Sequence, residues 1–280
     1  IAFGIEIETT LPGRDRTPIG GYHNGLPVAW LPTGWKAERD SSIRTPAGRK
    51  PAEFVSPILR GYEGLQNVER AVDAIKERGG RVNESCGLHI TVTWNGDAAA
   101  LARLISLVSN HEKAIYASTG TRRRERNSWA KQIKTYGNKD AAKRRCESDR
   151  YHLLNLTHLA RERSRIEFRA FGGTLNKTKL IGYIQMVLGL VELALNSKRC
   201  SGWDYNKKPG TKSCWDRPTA GHGETELNRL FYRLGWTKGW YKGDLRDKRF
   251  GQLSQGDATC DWKPVKKKLL DLARKYDQAA

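Results

Sequence analysis

The chain has 280 residues, enough to bury a real core as one domain or as a domain with an appendage. With 38% hydrophobic residues and 9 tryptophans, the composition fits a folded chain and excludes an intrinsically disordered one. Lys and Arg total 50 against 30 Asp and Glu, and the net charge of +20 predicts attraction to polyanions such as nucleic acid, nucleotide phosphates or an acidic polymer.

Cys86, Cys146, Cys200, Cys214 and Cys260 are odd in number and widely spaced, without a Cys-x-x-Cys pair. A disulfide framework or zinc knuckle is not expected, and the expected compartment is the reducing cytoplasm. Cys200, Cys214, His222 and Cys260 match no zinc-ligand spacing. The longest uncharged apolar stretch, Leu180 to Val191, is too short to span a bilayer and reads as a buried helix, so no membrane partner is expected. Ile1 follows no basic-apolar leader pattern and reads as a processed or trimmed end, or as the edge of a domain cut from a longer chain.

Residues 2 to 9 alternate as a strand does, with Glu6 and Glu8 on one face and Ile5 and Ile7 on the other. Two carboxylates so placed repel each other unless a cation lies beside them, and a hard divalent metal suits the position. Residues 11 to 34 are rich in Gly and Pro and predict a long surface loop of the kind that carries binding groups. The stretch Trp35 to Ser42, which includes Asp40, leads into a second loop. Ala52 to Pro57 predicts a short strand that adds Glu53 to the inward carboxylates. From Tyr62 to Glu77, apolar residues at intervals of three or four predict an amphipathic helix stopped by Gly79 and Gly80. The strand Cys86 to Trp94 places His89, Thr91 and Thr93 on its polar face.

A second helix is predicted over 98 to 116. It is followed by a basic segment, 119 to 147, in which Arg122, Arg123, Arg124, Arg126 and further Lys and Arg surround Trp129 and Tyr136. Such interleaving suits a phosphate-rich or single-stranded partner, and equally a mobile, solvated insertion. Tyr151 to Leu156 and Arg165 to Phe171 read as an antiparallel pair, the latter carrying Arg165, Glu167 and Arg169 on one face and Ile166 and Phe168 on the other. The remaining predicted helices are 180 to 196, 224 to 234 and 264 to 276.

Polar strand faces thus collect Glu6, Glu8, Glu53, His89 and Glu167 with Arg165 and Arg169. Oxygen-rich ligands with one imidazole favour magnesium or manganese over zinc or an iron-sulfur cluster. Arginines beside metal carboxylates make sense where a phosphate bridges metal and guanidinium, as in phosphoryl transfer. Neither a P-loop nor a Rossmann glycine pattern is present, so metals and arginines would have to hold any ATP. Two rival classes share this residue set: a metal-dependent nuclease or phosphatase, and a catalytically idle nucleic-acid-binding protein on a ligase scaffold.

Four motifs in order, Phe3-Gly4-Ile5-Glu6-Ile7-Glu8, Glu53-Phe54-Val55-Ser56-Pro57, Cys86-Gly87-Leu88-His89 and Arg165-Ile166-Glu167-Phe168-Arg169, resemble those of the amidoligases in the glutamine synthetase and glutamate-cysteine ligase superfamily. The resemblance spans roughly residues 2 to 195. It implies an ATP-dependent carboxylate-amine ligase working through an acyl phosphate, with Glu6, Glu8, Glu53, His89 and Glu167 around two or three magnesium ions. It also implies that Arg169, with Arg165, neutralises the transferred phosphate, that Asp40 lies near the chemistry, and that Arg126 and Ser56 meet substrate. Many relatives carry a second histidine where this chain has Thr91, which keeps a hydroxyl for a phosphate but supplies no imidazolium. The expected fold is α+β: a glutamine synthetase-like, curved, mainly antiparallel sheet with helices on one face. Its expected extent is a catalytic domain over 1 to 199 and a C-terminal extension over 200 to 280. The expected substrates are a carboxylate and an amine, possibly borne on a peptide or polymer, with the acceptor acidic.

Overall fold

The computed structural model describes residues 1–161, 163–197, 222–236 and 262–279. It contains eight strands: β1 (Ala2–Pro12), β2 (Leu26–Pro27), β3 (Lys36–Glu38), β4 (Arg49–Val55), β5 (Leu59–Arg60), β6 (Gly87–Thr93), β7 (Leu154–Asn155) and β8 (Arg165–Gly172). The helices are α1 (Gly61–Glu77), α2 (Ala98–Ala117), α3 (Lys139–Ser148), α4 (Lys177–Asn196), α5 (Gly223–Leu234) and α6 (Trp262–Gln278). The strands form one open sheet in the order β2-β3-β4-β1-β6-β8-β7, with β5 paired to the start of β1. Every pairing in it is antiparallel, which meets the expectation of a mixed helix and antiparallel-sheet fold.

Strand β1 is central because its alternation serves both faces. Phe3, Ile5 and Ile7 are buried in the core with Leu88, Ile90 and Val92 of β6 and Phe168 of β8. Glu6 and Glu8 project to the opposite side. Register then decides what the carboxylates meet: Glu6 lies opposite His89, and Glu8 opposite Glu53, which is in turn opposite Glu38 of β3.

Strand β8 departs from simple alternation. Leu88 pairs with Phe171 but Ile90 pairs with Phe168, so an irregularity sits between them and β8 carries one extra residue there. Directly paired residues share a face. Phe168 and Phe171, three apart, therefore both reach the apolar side, where Phe171 stacks on Tyr183 of α4 with ring centroids 4.3 Å apart.

Helix α2 begins where the Asp97 side chain accepts from the Ala100 N–H at 2.7 Å, and α4 where Asn176 accepts from Lys179 N–H at 2.9 Å. Both are buried around most of their circumference because α2 packs against α4 and α5 while α6 packs against α4 and α5. Helix α4 is long and apolar enough to cross a membrane by length and composition, yet most of it is buried inside this fold.

Residues 119 to 147, read from sequence as a basic segment that was either a partner surface or a solvated insertion, are folded into the molecule. Ala130, Ile133, Ala142 and Cys146 are fully buried, and α3 forms with Asn138 capping the Ala141 N–H. The Lys131 N–H donates to Tyr151 O at 2.8 Å, and the buried Glu112 carboxylate accepts the Ile133 N–H at 2.6 Å. Ten basic positions hid four packing residues.

Candidate active site

The polar face of the sheet gathers the acidic residues into one cleft. His89 stands at its centre: Nδ1 lies 3.0 Å from Glu6 Oε2 and 3.6 Å from Glu167 Oε1, and Nε2 lies 3.6 Å from Glu8 Oε1. Glu8, Glu53, His89 and Glu167 are all buried, while the Glu6 side chain retains about a third of its exposure. The strand positions that alternation assigned to one face are therefore the positions that meet.

Two sets of ligand atoms lie within 4.8 Å of one another, Glu6/Glu53/His89 and Glu8/Asp40/Glu53, so Glu53 is common to both. Burial pushes the Glu53 carboxyl up to about 10, and the charges of Glu6, Glu8, Asp40 and Glu38 push the same way. Burial also raises Glu6, but its hydrogen bond to His89 and the charges of His89 and Arg169 outweigh that, leaving it below the ordinary carboxylate range. A carboxylate that can ionise in this cluster only with difficulty is a site that favours a cation.

Glu167 is held from both sides. Arg169 Nη1 donates to Oε1 at 2.7 Å, and Asn155 Nδ2 donates to Oε2 at 2.5 Å from β7 alongside. Arg169 Nη1 also lies 3.5 Å from His89 Nδ1, while its Nε is buried with no hydrogen-bond acceptor among the described residues. A buried guanidinium with an unsatisfied N–H beside carboxylates fits an arriving anion.

A second arginine, not singled out from sequence, is Arg124. It is 7% exposed and its Nη2 donates to Phe171 O at 2.5 Å, which pins the 121–129 loop to the end of β8. Gly87 makes this possible: a Cβ there would lie 2.7 Å from Arg124 Nη2, 3.0 Å from Glu8 Oε1 and 3.1 Å from His89 Nε2. The Gly87 N–H in turn donates to Glu8 Oε2 at 2.6 Å. The glycine is required by close approach to three site groups.

The other expected residues lie at different distances from this centre. Asp40 reaches it, with Oδ1 accepting the Ser42 N–H at 2.6 Å. Thr91 lies beside it, half-buried between Gly4 and Glu167 in register. Arg165 sits at the exposed start of β8, its Nη2 3.4 Å from His158 Nδ1. Arg126 is exposed on the wall of a separate groove with Arg122, Arg123 and Trp129. The Ser56 hydroxyl accepts the Ile5 N–H at 2.8 Å and donates to Pro57 O at 2.9 Å, so it ties β4 to β1.

Glu38 and Asn155 join the site unheralded by the sequence. Glu38 Oε1 receives the His23 N–H at 3.2 Å, in the Gly- and Pro-rich loop at the cleft mouth. The Lys36-Ala37-Glu38 alternation was too short to announce a strand. Of the cysteines, Cys86 and Cys146 are buried and free, while Cys200, Cys214 and Cys260 lie outside the described residues.

A bifunctional glutathione synthetase from Pasteurella multocida is similar to the chain at 12% identity with a TM-score of 0.41, covering 99% of this chain and 51% of that one. The chain thus spans about half of that protein, a likeness too slight to bear on the site. No curated protein matches. The family described as "Putative amidoligase enzyme" matches over residues 14–140 and 130–191, which contain Asp40, Glu53, His89, Arg124, Asn155, Glu167 and Arg169. With its matched segments covering more than half of the sequence, the chain belongs to this amidoligase family.

Proposed function

We propose that the cleft binds ATP with magnesium or manganese and joins a substrate carboxylate to an amine through an acyl phosphate, on a sheet of the glutamine synthetase kind. The observation that carries this reading is the buried convergence of Glu6, Glu8 and Glu53 around His89, with Glu53 shared between two sets of ligand atoms. Carboxylate oxygens with a single imidazole suit a hard divalent ion, and the shared Glu53 suits two of them. Glu6, Glu53 and His89 would hold one ion and Glu8, Asp40 and Glu53 the other. When bound, such ions supply charge neutralisation at the phosphate oxygens of ATP.

The chain's own residues do the rest. Arg169 spends Nη1 on Glu167 and keeps its buried Nε–H for an oxygen of the phosphoryl group in transfer. Asn155 fixes the rotamer of Glu167, so the carboxylate and Arg169 stay in register as charge moves. The Thr91 hydroxyl lies on the same face and donates to the same anion. The substrate carboxylate oxygen attacks the terminal phosphorus and ADP leaves; the amine nitrogen then attacks the acyl carbon, and inorganic phosphate departs. The proton released by the amine leaves with the phosphate as hydrogen phosphate, and no separate base is required. The chain's charge of +20 supports an acidic or polymeric acceptor.

The test is ADP release over pooled carboxylates and amines, with the mass of the product measured. Release that needs both substrates and disappears in Glu167→Gln is the expected result. Cleavage of a phosphodiester by the wild-type protein without ATP would instead favour a two-metal hydrolase and sink the ligase reading.

A further inference from the structure

Beside the cleft, residues 121–123 and 126–129 with Ala279 line an open groove with a volume of about 670 Å³. Its walls carry Arg122, Arg123 and Arg126, the hydroxyls of Thr121 and Ser128, and the indole of Trp129; no acidic side chain lines it, and Glu125 pairs with Arg122 at 3.8 Å. The groove is braced from behind. Arg122 donates to Ala279 O at 3.0 Å and lies 4.3 Å from the centre of the Tyr276 ring, and Arg123 pairs with Glu84. Arg126, by contrast, is exposed and has no carboxylate partner among the described residues. The Trp129 N–H is fixed on Asn127 Oδ1 at 2.5 Å, yet Trp129 keeps 48% of its exposure, which leaves a ring available for stacking.

The groove does not end at the indole. Trp129 meets Tyr151 edge-on with centroids 5.0 Å apart, and the Arg150 guanidinium lies 5.2 Å from the Tyr151 ring centre. Arg150 Nη1 then donates to the exposed Tyr22 hydroxyl at 2.8 Å, in the loop whose next residue, His23, stands over Glu38 at the cleft. Two rings, a guanidinium group and a third ring therefore follow one another along a path from the groove to the acidic site. Cations, hydroxyl donors and stacking rings together match phosphate oxygens and nucleobases, whereas a polyacidic peptide would use the cations and leave the rings idle. A path with two further aromatic positions beyond Trp129 is longer than one nucleotide needs.

We infer that the groove at Arg126 and Trp129, continued along Tyr151 and Arg150, is a binding track for single-stranded nucleic acid that leads to the active cleft. The assignment stands whether or not the cleft forms amides, because it rests on residues outside the acidic cluster. The experiment is a fluorescence-anisotropy titration of the full chain with a labelled oligothymidylate of about 12 nucleotides at two salt concentrations. Salt-dependent binding is expected, weakened about tenfold in Arg126→Ala and at least fivefold in Trp129→Ala. Lys267→Ala, on the exposed face of α6, should leave it unchanged, as should Glu167→Gln, which separates this result from failure of the ligase reading. Both groove side chains are exposed, so thermal melts of the variants should match the parent. Equal affinity in both groove variants overturns the proposal. So does a mononucleotide that binds as tightly as the strand, or polyglutamate that binds with the same dependence on Trp129.

Discussion

Two charged regions lie side by side and are built in opposite ways. The cleft crowds Glu6, Glu8, Glu38, Glu53 and Glu167 onto paired strands with Asp40 on the loop after β3, most of them buried, with Arg169 and Arg124 as close cations. The groove carries Arg122, the exposed Arg123 and Arg126 and an indole on a loop, which is held by Tyr276 of α6, by Ala279 and by Glu84. A net charge of +20 over the whole chain gives no hint of the carboxylates gathered in the cleft. The difference teaches that buried like charges need strand geometry to hold them together, while exposed charges need only a surface, since water screens them.

The comparison breaks first at Glu167. Glu167→Gln should lower amine-dependent ADP release by about a thousandfold or more, because the charged partner that orients the buried Arg169 beside His89 vanishes. Steady-state kinetics checks it, with oligonucleotide binding as the unaffected control. Next comes the apolar support of the same strand. Phe171→Ala removes the ring stacked on Tyr183 and should cost about 3–5 kcal/mol in a urea melt, leaving the groove's affinity intact in the folded fraction.

Glu112 offers a pH test of the junction between α2 and the basic segment. Burial pushes its carboxyl up to about 7 from 4.5, against the hydrogen bonds from Ile133 and Lys134 N–H that lower it. A raised folded value means the stabilising proton is fully in place below about 4.5, and that stability is lost as pH climbs through about 7. The contribution is up to about 3 kcal/mol, and Glu112→Gln should flatten the melting temperature across that window. A smaller effect is expected at Asn155: Asn155→Ala should lower activity about 10- to 100-fold by freeing Glu167, and raise the magnesium concentration needed. Finally, Glu53→Gln should raise the melting temperature of the metal-free protein by a few degrees, since it deletes a crowded carboxylate. It should also abolish stabilisation by added magnesium. A drop in metal-free stability would show that Glu53 is paired and not strained.

The carboxylates of the cleft were legible because a strand has a period of two. Glu6, Glu8, Glu53, His89, Glu167 and Arg169 all occupy polar positions of alternating segments, and alternation alone assigns them to one face. Arg124 and Asn155 were not legible in the same way. Arg124 is one of several arginines in a basic run, and only its path behind Gly87 distinguishes it from Arg126 two residues on. Asn155 matters because β7 pairs with β8 in a register that places it opposite Glu167. The packing of the basic segment was hidden for a related reason: Ile133 and Cys146 are too sparse to announce a core, and it is Glu112 of the preceding helix α2 that takes up the Ile133 and Lys134 N–H groups.

By itself, the sequence determined the strand faces, the principal helices, the metal-friendly ligand set and the excess of positive charge, because each follows from spacing or composition within one segment. Tertiary structure decided which charges neighbour which. Register put Glu8 opposite Glu53, a β-bulge turned Phe171 back to the apolar side, and loop path sent Arg124 inward and Arg126 outward. Those choices depend on contacts between residues tens of positions apart, whose free energy is set by burial and pairing that no local pattern contains.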